Sequence, residues 1–150
     1  MPWSSWPSIG TSWEDGRAAE LPNMKKFELS TEEGEYPIHS ISILVGEDLL
    51  TCLWGGTKPH IGAIAVALPR PSIADHSVTS STVSVFTLLG HKEDEIVKMV
   101  SERLSARLKR NVVAAAGIHW DHLNEDAIAE ITDNCKRLAE KVGDVVERIG

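Results

Sequence analysis

From residue 27 to residue 89 the apolar positions recur with the two-residue period of strands. Pro37-Ile-His-Ser-Ile-Ser-Ile-Leu-Val45 places His39, Ile41, Ile43 and Val45 on one face and Ser40 and Ser42 on the other. Gly46-Glu-Asp48 reads as a tight turn, Leu49 to Trp54 as the next strand and Gly55-Gly-Thr-Lys-Pro59 as a loop. Ile61 to Leu68 is a third long strand, which Pro69-Arg-Pro71 is expected to stop because proline cannot donate to a ladder. A polar loop over 72–80 leads to a strand from Thr82 to Leu89.

The period then lengthens. Glu93, Asp94 and Glu95 open a helix that Arg107, Lys109 and Arg110 close, both sets suiting the helix dipole. Ile96, Val100, Leu104 and Leu108 mark its expected buried stripe. Asn111 to Ile118 is a strand, and Asn124 caps a last helix reaching about Ile149. In that helix Ile128, Ile131, Cys135, Leu138, Val142, Val145 and Ile149 follow a 3, 4, 3, 4 spacing, an a/d seam over three heptads. The seam fits either the chain's own sheet or a second subunit. Ala63, Ala65, Ala67 and Ala114 to Ala116 give two strands so little side-chain volume that a helix must approach them closely.

These elements predict an α+β fold, a mixed and mostly antiparallel sheet with two helices packed on one face, as a single domain over 24–150. Residues 1–23 are rich in Ser, Pro and Gly and carry Trp3, Trp6 and Trp13 without any period, so a disordered tail is expected there. That tail reads either as a docking peptide or as an upstream extension ahead of Met24. The net charge of −7 over 150 residues argues against a nucleic-acid or anionic-membrane binder, since either gains most of its affinity from basic residues. No stretch approaches the ~18 apolar residues of a membrane span, and the start lacks the pattern of a signal peptide. Cys52 and Cys135 have no CxxC partner and read as buried thiols, so a cytoplasmic protein is expected.

Strand direction places the candidate chemistry. If the strands ending at Trp54, Leu68 and Leu89 are successive antiparallel neighbours, the first and third point the same way. A helical crossover then makes the strand ending at Ile118 parallel to them. Three loops meet at one sheet edge: Gly55 to His60, Gly90-His91-Lys92 and Gly117 to His122. His60 and His119 should therefore lie together, beside the amides of Gly55 and Gly56. Gly55, Gly56, Thr57 and Lys58 have the make-up of an anion cradle, although the spacing is not that of a Walker loop and a plain hairpin loop fits equally. His60, His91 and His119 suit acid–base work, and Trp54 and Trp120 suit either stacking on a planar ring or core packing. His119-x-x-His122 with His60 invites a metal reading, but neither an HExxH helix nor a GxSxG elbow is present.

Trp54-Gly-Gly-Thr-Lys-Pro-His-Ile-Gly62 and Ala116-Gly-Ile-His-Trp-Asp-His122 resemble the paired signatures of the small accessory D subunit of gallate decarboxylase. Those proteins are prenylated-flavin chaperones with a domain similar to proteasome assembly chaperones, and the resemblance spans about Gly46 to Ile149. It implies a small non-catalytic partner of a UbiD-type decarboxylase that handles prenylated FMN, or FMN itself; the overlong apolar seam of 128–149 adds the expectation of a homodimer. The resemblance also implies cofactor contacts at Gly55, Gly56, Lys58, His60 and His119; the residues of the three loops add Thr57, His91 and Trp120 to the expected set, with neither catalytic nor metal-ligating residues. The loop from Pro69 to Ser80 has no counterpart in the gallate proteins. A chaperone that binds only polypeptide, and a small metal-dependent hydrolase using His60, His119 and His122, are the other two readings the residues leave open.

Overall fold

The computed structural model describes residues 24–88 and 93–150. Its elements run β1 (Met24–Ser30), β2 (Ile38–Val45), β3 (Asp48–Gly56), β4 (Ala63–Pro71), β5 (Thr79–Thr87), α1 (Asp94–Leu108), β6 (Val112–His119) and α2 (Glu125–Ile149). The strands form one mixed sheet in the order β1-β2-β3-β6-β4-β5, antiparallel everywhere except between β3 and β6. The α+β class is therefore as expected. The tail proposed for 1–23 and the loop residues Gly90, His91 and Lys92 lie outside the described residues.

Two details of the sheet differ from expectation. β4 is not the neighbour of β3, because β6 inserts between them. Strand directions are unaffected, so β3, β5 and β6 still point the same way. The prolines also do not stop β4, which runs through Pro71 and pairs Pro69 with Ser81 and Pro71 with Thr79. Pairing of β4 with β6 ends at Ala67 and Val112, which leaves an open flank where a missing N–H costs no ladder bond.

The helices cover one face. Ala63, Ala65, Ala67, Ala114 and Ala116 are all fully buried there, opposite Val97, Val100 and Leu104 of α1. Small side chains on both sides bring α1 close: its buried stripe is Val97, Val100, Ser101, Leu104 and Ser105, with the expected Ile96 and Leu108 only half-buried on its flanks. In α2 the buried set is Ala127, Ile131, Asn134, Cys135, Leu138, Ala139, Val142, Gly143 and Val146. The seam thus lies on the chain's own sheet, except that Ile128 is 52% exposed and Val145 gives way to Val146. A straight helix drifts about 20° per heptad against a 3.5-residue repeat, so a strict a/d stripe cannot stay centred over 25 residues.

The alternation in β2 is inverted relative to the usual reading. Ile38, Ser40, Ser42 and Leu44 face the helices, and Ser42 shares a buried hydrogen bond of 2.9 Å with Thr51. His39, Ile41, Ile43 and Val45 therefore lie on the helix-free face. Leu50, Cys52 and Trp54 of β3, Val113 and Ala115 of β6, Ile64, Val66 and Leu68 of β4 and Phe86 of β5 share that face through the strand register. Val45, Leu50, Val66, Leu68 and Phe86 are each at least 40% exposed.

Cys52 and Cys135 are both free thiols, and burial pushes the Cys135 thiol up to about 12. Asn124 caps α2 as expected, its side-chain oxygen accepting from the Ala127 amide at 2.8 Å. Asn124→Ala should lower stability by about 1 kcal/mol, read as a shift of the urea midpoint without a change in slope. An unshifted midpoint would mean that packing alone holds the first turn.

Candidate functional site

β3 and β6 are parallel neighbours that end together, with Gly56 paired to His119. The chain leaving β3 is tied down on β6 at both ends. The Thr57 amide donates to the His119 carbonyl at 2.9 Å, and the Gly62 amide donates to the Ala116 carbonyl at 2.8 Å. Such close contact requires glycine on both strands. A Cβ on Gly56, whose φ is +93°, would stand 1.8 Å from the His119 oxygen, and one on Gly117 would stand 1.7 Å from the His60 oxygen. The two glycine signatures are thus two sides of one backbone contact.

This alters the cradle expected from Gly55 and Gly56. Both belong to β3 rather than to an open loop, and Gly55 sits between Ile38 of β2 and Ile118 of β6 in the ladder. The loop begins at Thr57, whose amide is already engaged.

His60 and His119 do lie together, ring centroids 6.4 Å apart and edge to face. Their surroundings differ. His60 Nδ1 is 2.9 Å from the Lys58 carbonyl oxygen and Nε2 is 3.0 Å from Glu93 Oε1. His119 Nε2 donates to Asp121 Oδ1 at 3.1 Å. That bond, with the charges of Lys58, His119 and His122 nearby, holds the exposed Asp121 carboxyl below the usual carboxylate range. Lys58, His119 and His122 thus act on one surface carboxylate, with His119 in direct contact with it. Among the described residues no three His, Cys, Asp or Glu side chains gather as a metal would need, so His60, His119 and His122 form no such set.

Trp120 packs its edge on Tyr36 (5.2 Å between centroids, 90°) and leans over Gly55, leaving it half-buried. Trp54 stacks with His39 on the helix-free face, centroids 5.8 Å apart and planes inclined by 30°. Between them runs a groove of about 360 Å³ lined by Pro37, His39, Trp54, Thr57, Pro59 and Trp120. A second groove of about 460 Å³ shares His39 and Trp54 and continues to Ser30 and Lys141.

Sequence reasoning missed two residues. His39 was one position in an alternating strand, and nothing local marked it as the stacking partner of Trp54. Glu93 read only as the acidic opening of a helix. It does precede α1, yet its side chain makes no cap bond and turns instead to His60 and to the Ile118 amide at 3.3 Å.

In solved structures the chain resembles a crystal structure of a chaperone complex for yeast 20S proteasome assembly, with a TM-score of 0.51 and 16% identity over 84% of this chain and 97% of that one. That likeness concerns the fold, and it agrees with the proteasome-assembly-chaperone-like architecture expected from the sequence. Protein LpdD of Lactiplantibacillus plantarum is 29% identical over 117 residues, 72% of this chain and 78% of its own length. The family model of the prenylated flavin chaperone LpdD-like domain matches residues 32–147, which takes in β2 to β6, α1, α2 as far as Glu147 and both glycine signatures. The chain belongs to the prenylated flavin chaperone LpdD-like family.

Proposed function

We propose that the protein binds prenylated FMN at the edge where β3 and β6 end, as a non-catalytic accessory that assists maturation of the cofactor or its delivery to a UbiD-type decarboxylase. The observation that carries this reading is the groove lined by Trp54, Thr57, Pro59 and Trp120, whose neighbours in the chain are Lys58 and His119. A heterocycle fits the groove by stacking, and a phosphate suits the charge of Lys58. Membership of the prenylated flavin chaperone family supports the cofactor's identity. In this reading Lys58 meets the phosphate and His119 meets the ring. His60 acts from behind, since both its nitrogens already face protein acceptors.

A charge-assisted contact to phosphate contributes ~1.5–3 kcal/mol, so Lys58→Ala should weaken FMN and prenylated FMN by about tenfold to a hundredfold in calorimetric titration. His119→Ala should change the bound flavin's absorbance. Failure of either flavin to bind below millimolar, or wild-type affinity in Lys58→Ala, would overturn the reading in favour of a chaperone for polypeptide alone.

The protein is further proposed to act as a homodimer that buries the helix-free sheet face. The apolar seam of α2 is already packed in the chain's own core. The apolar face of the sheet is not, and monomers seldom expose contiguous patches of that kind.

A further inference from the structure

Among the described residues Glu93 is the only charged side chain that is buried, and a buried carboxylate is costly unless paired and hydrogen-bonded. It rests on the backbone of Gly62, where a Cβ would stand 2.2 Å from Oε2. It receives the Ile118 amide from β6 and faces His60 Nε2, so one carboxylate joins the start of α1, the end of β6 and the loop after β3. The opposite nitrogen of the same ring faces the Lys58 carbonyl. A carbonyl oxygen and a carboxylate are both acceptors, so filling both contacts places a proton on each ring nitrogen.

We infer that Glu93 is a positioning residue: it holds His60 as an imidazolium, and this ion pair pins loop 57–62, with Lys58, onto β6 beside His119. Glu93 faces the ring from the start of α1, His119 from β6 and Lys58 from its own loop, with Asp121 beyond His119. His91 and Lys92, which precede Glu93, lie outside the described residues. The inference deepens the site reading above, but its test needs no ligand.

The test is imidazole ¹⁵N spectroscopy near neutral pH together with amide exchange of Thr57 and Gly62. In the wild type both His60 ring nitrogens should carry protons. In Glu93→Gln the new amide can donate to Nε2 of a neutral ring whose Nδ1–H still meets the Lys58 carbonyl. One ring proton should therefore disappear while the two amides exchange as before. A merely structural glutamate would not move the ring's protonation in this way. Glu93→Ala removes both contacts, and exchange at Thr57 and Gly62 should rise by about tenfold or more. A singly protonated wild-type ring, or a second proton that survives in Glu93→Gln, overturns the inference, as does unchanged exchange in Glu93→Ala. The glutamine variant decides the question alone if the alanine variant does not fold. FMN titration of the same wild-type sample tests the flavin reading separately, because its failure leaves these spectra unaltered.

Discussion

Gly117→Ala is expected to lower folding stability by about 3 kcal/mol or more, and Gly56→Ala by a similar amount. Overpacking ordinarily costs about 1–3 kcal/mol because neighbouring side chains can shift. Here the neighbours cannot give in that way. The added methyl would meet the backbone carbonyl of His60 in one case and that of His119 in the other, both well inside contact distance. Gly56 also has φ +93°, which an L-residue side chain resists independently of space. Gly46 separates the two effects. Its φ is +61° and nothing lies within 4 Å of the place an added methyl would take, so Gly46→Ala should show the conformational cost alone, about 1 kcal/mol. Urea midpoints for the three variants, compared at a shared slope, give the ranking. If Gly117→Ala and Gly46→Ala cost the same, the close contact between the loop and β6 is not what these glycines serve.

The residues differ in how far they announced their places. Asn124 was legible because capping is local, and the alanines of β4 and β6 because missing volume has to be filled by something close. The meeting of His60 with His119 was legible because strand direction survives errors in strand order. Inserting β6 between β3 and β4 left every direction unchanged. The insertion itself was not legible, since adjacency in sequence is the default for antiparallel strands and a parallel partner arrives from far along the chain. β2 shows a second limit. Alternation separates Ser40 and Ser42 from Ile41 and Ile43, but a period of two does not say which set meets the helices, and here the serines do. The seam of α2 failed at its ends for a geometric reason, the mismatch between 3.5 and 3.6 residues per turn. Glu93 was beyond local reading because its partner is 33 residues away, and the only trace left in the sequence is the glycine at 62 that makes room for it.

Leu50→Lys and Val66→Lys are each expected to convert a dimer into a monomer while leaving the fold intact. Both side chains stand on the helix-free face and are already exposed, 41% and 40%, so a lysine there should change the stability of one chain by no more than about 0.5 kcal/mol. The face they occupy is a sheet of six strands. At ~4.8 Å between strands and ~3.3 Å per residue it spans on the order of 600 Å², close to the ~800 Å² per partner of a standard stable interface. Its central positions, Ile41, Ile43, Cys52, Val113 and Ala115, are uncharged, and the charged pair Lys26–Glu28 stands at the β1 edge. A second copy matches such a surface, because two-fold packing sets the same apolar patch against itself and leaves the helices outside. His39, Trp54 and His119 lie at one end of the same face, so the proposed flavin groove would border the interface rather than be covered by it. Ile128→Lys supplies the contrast. It alters the one seam residue of α2 that is more than half exposed and should leave the dimer unchanged. Light scattering at micromolar concentration separates the outcomes. Dissociation by Ile128→Lys but not by Leu50→Lys would place the interface on α2, and a monomeric wild type would refute the dimer and leave the apolar face to another protein.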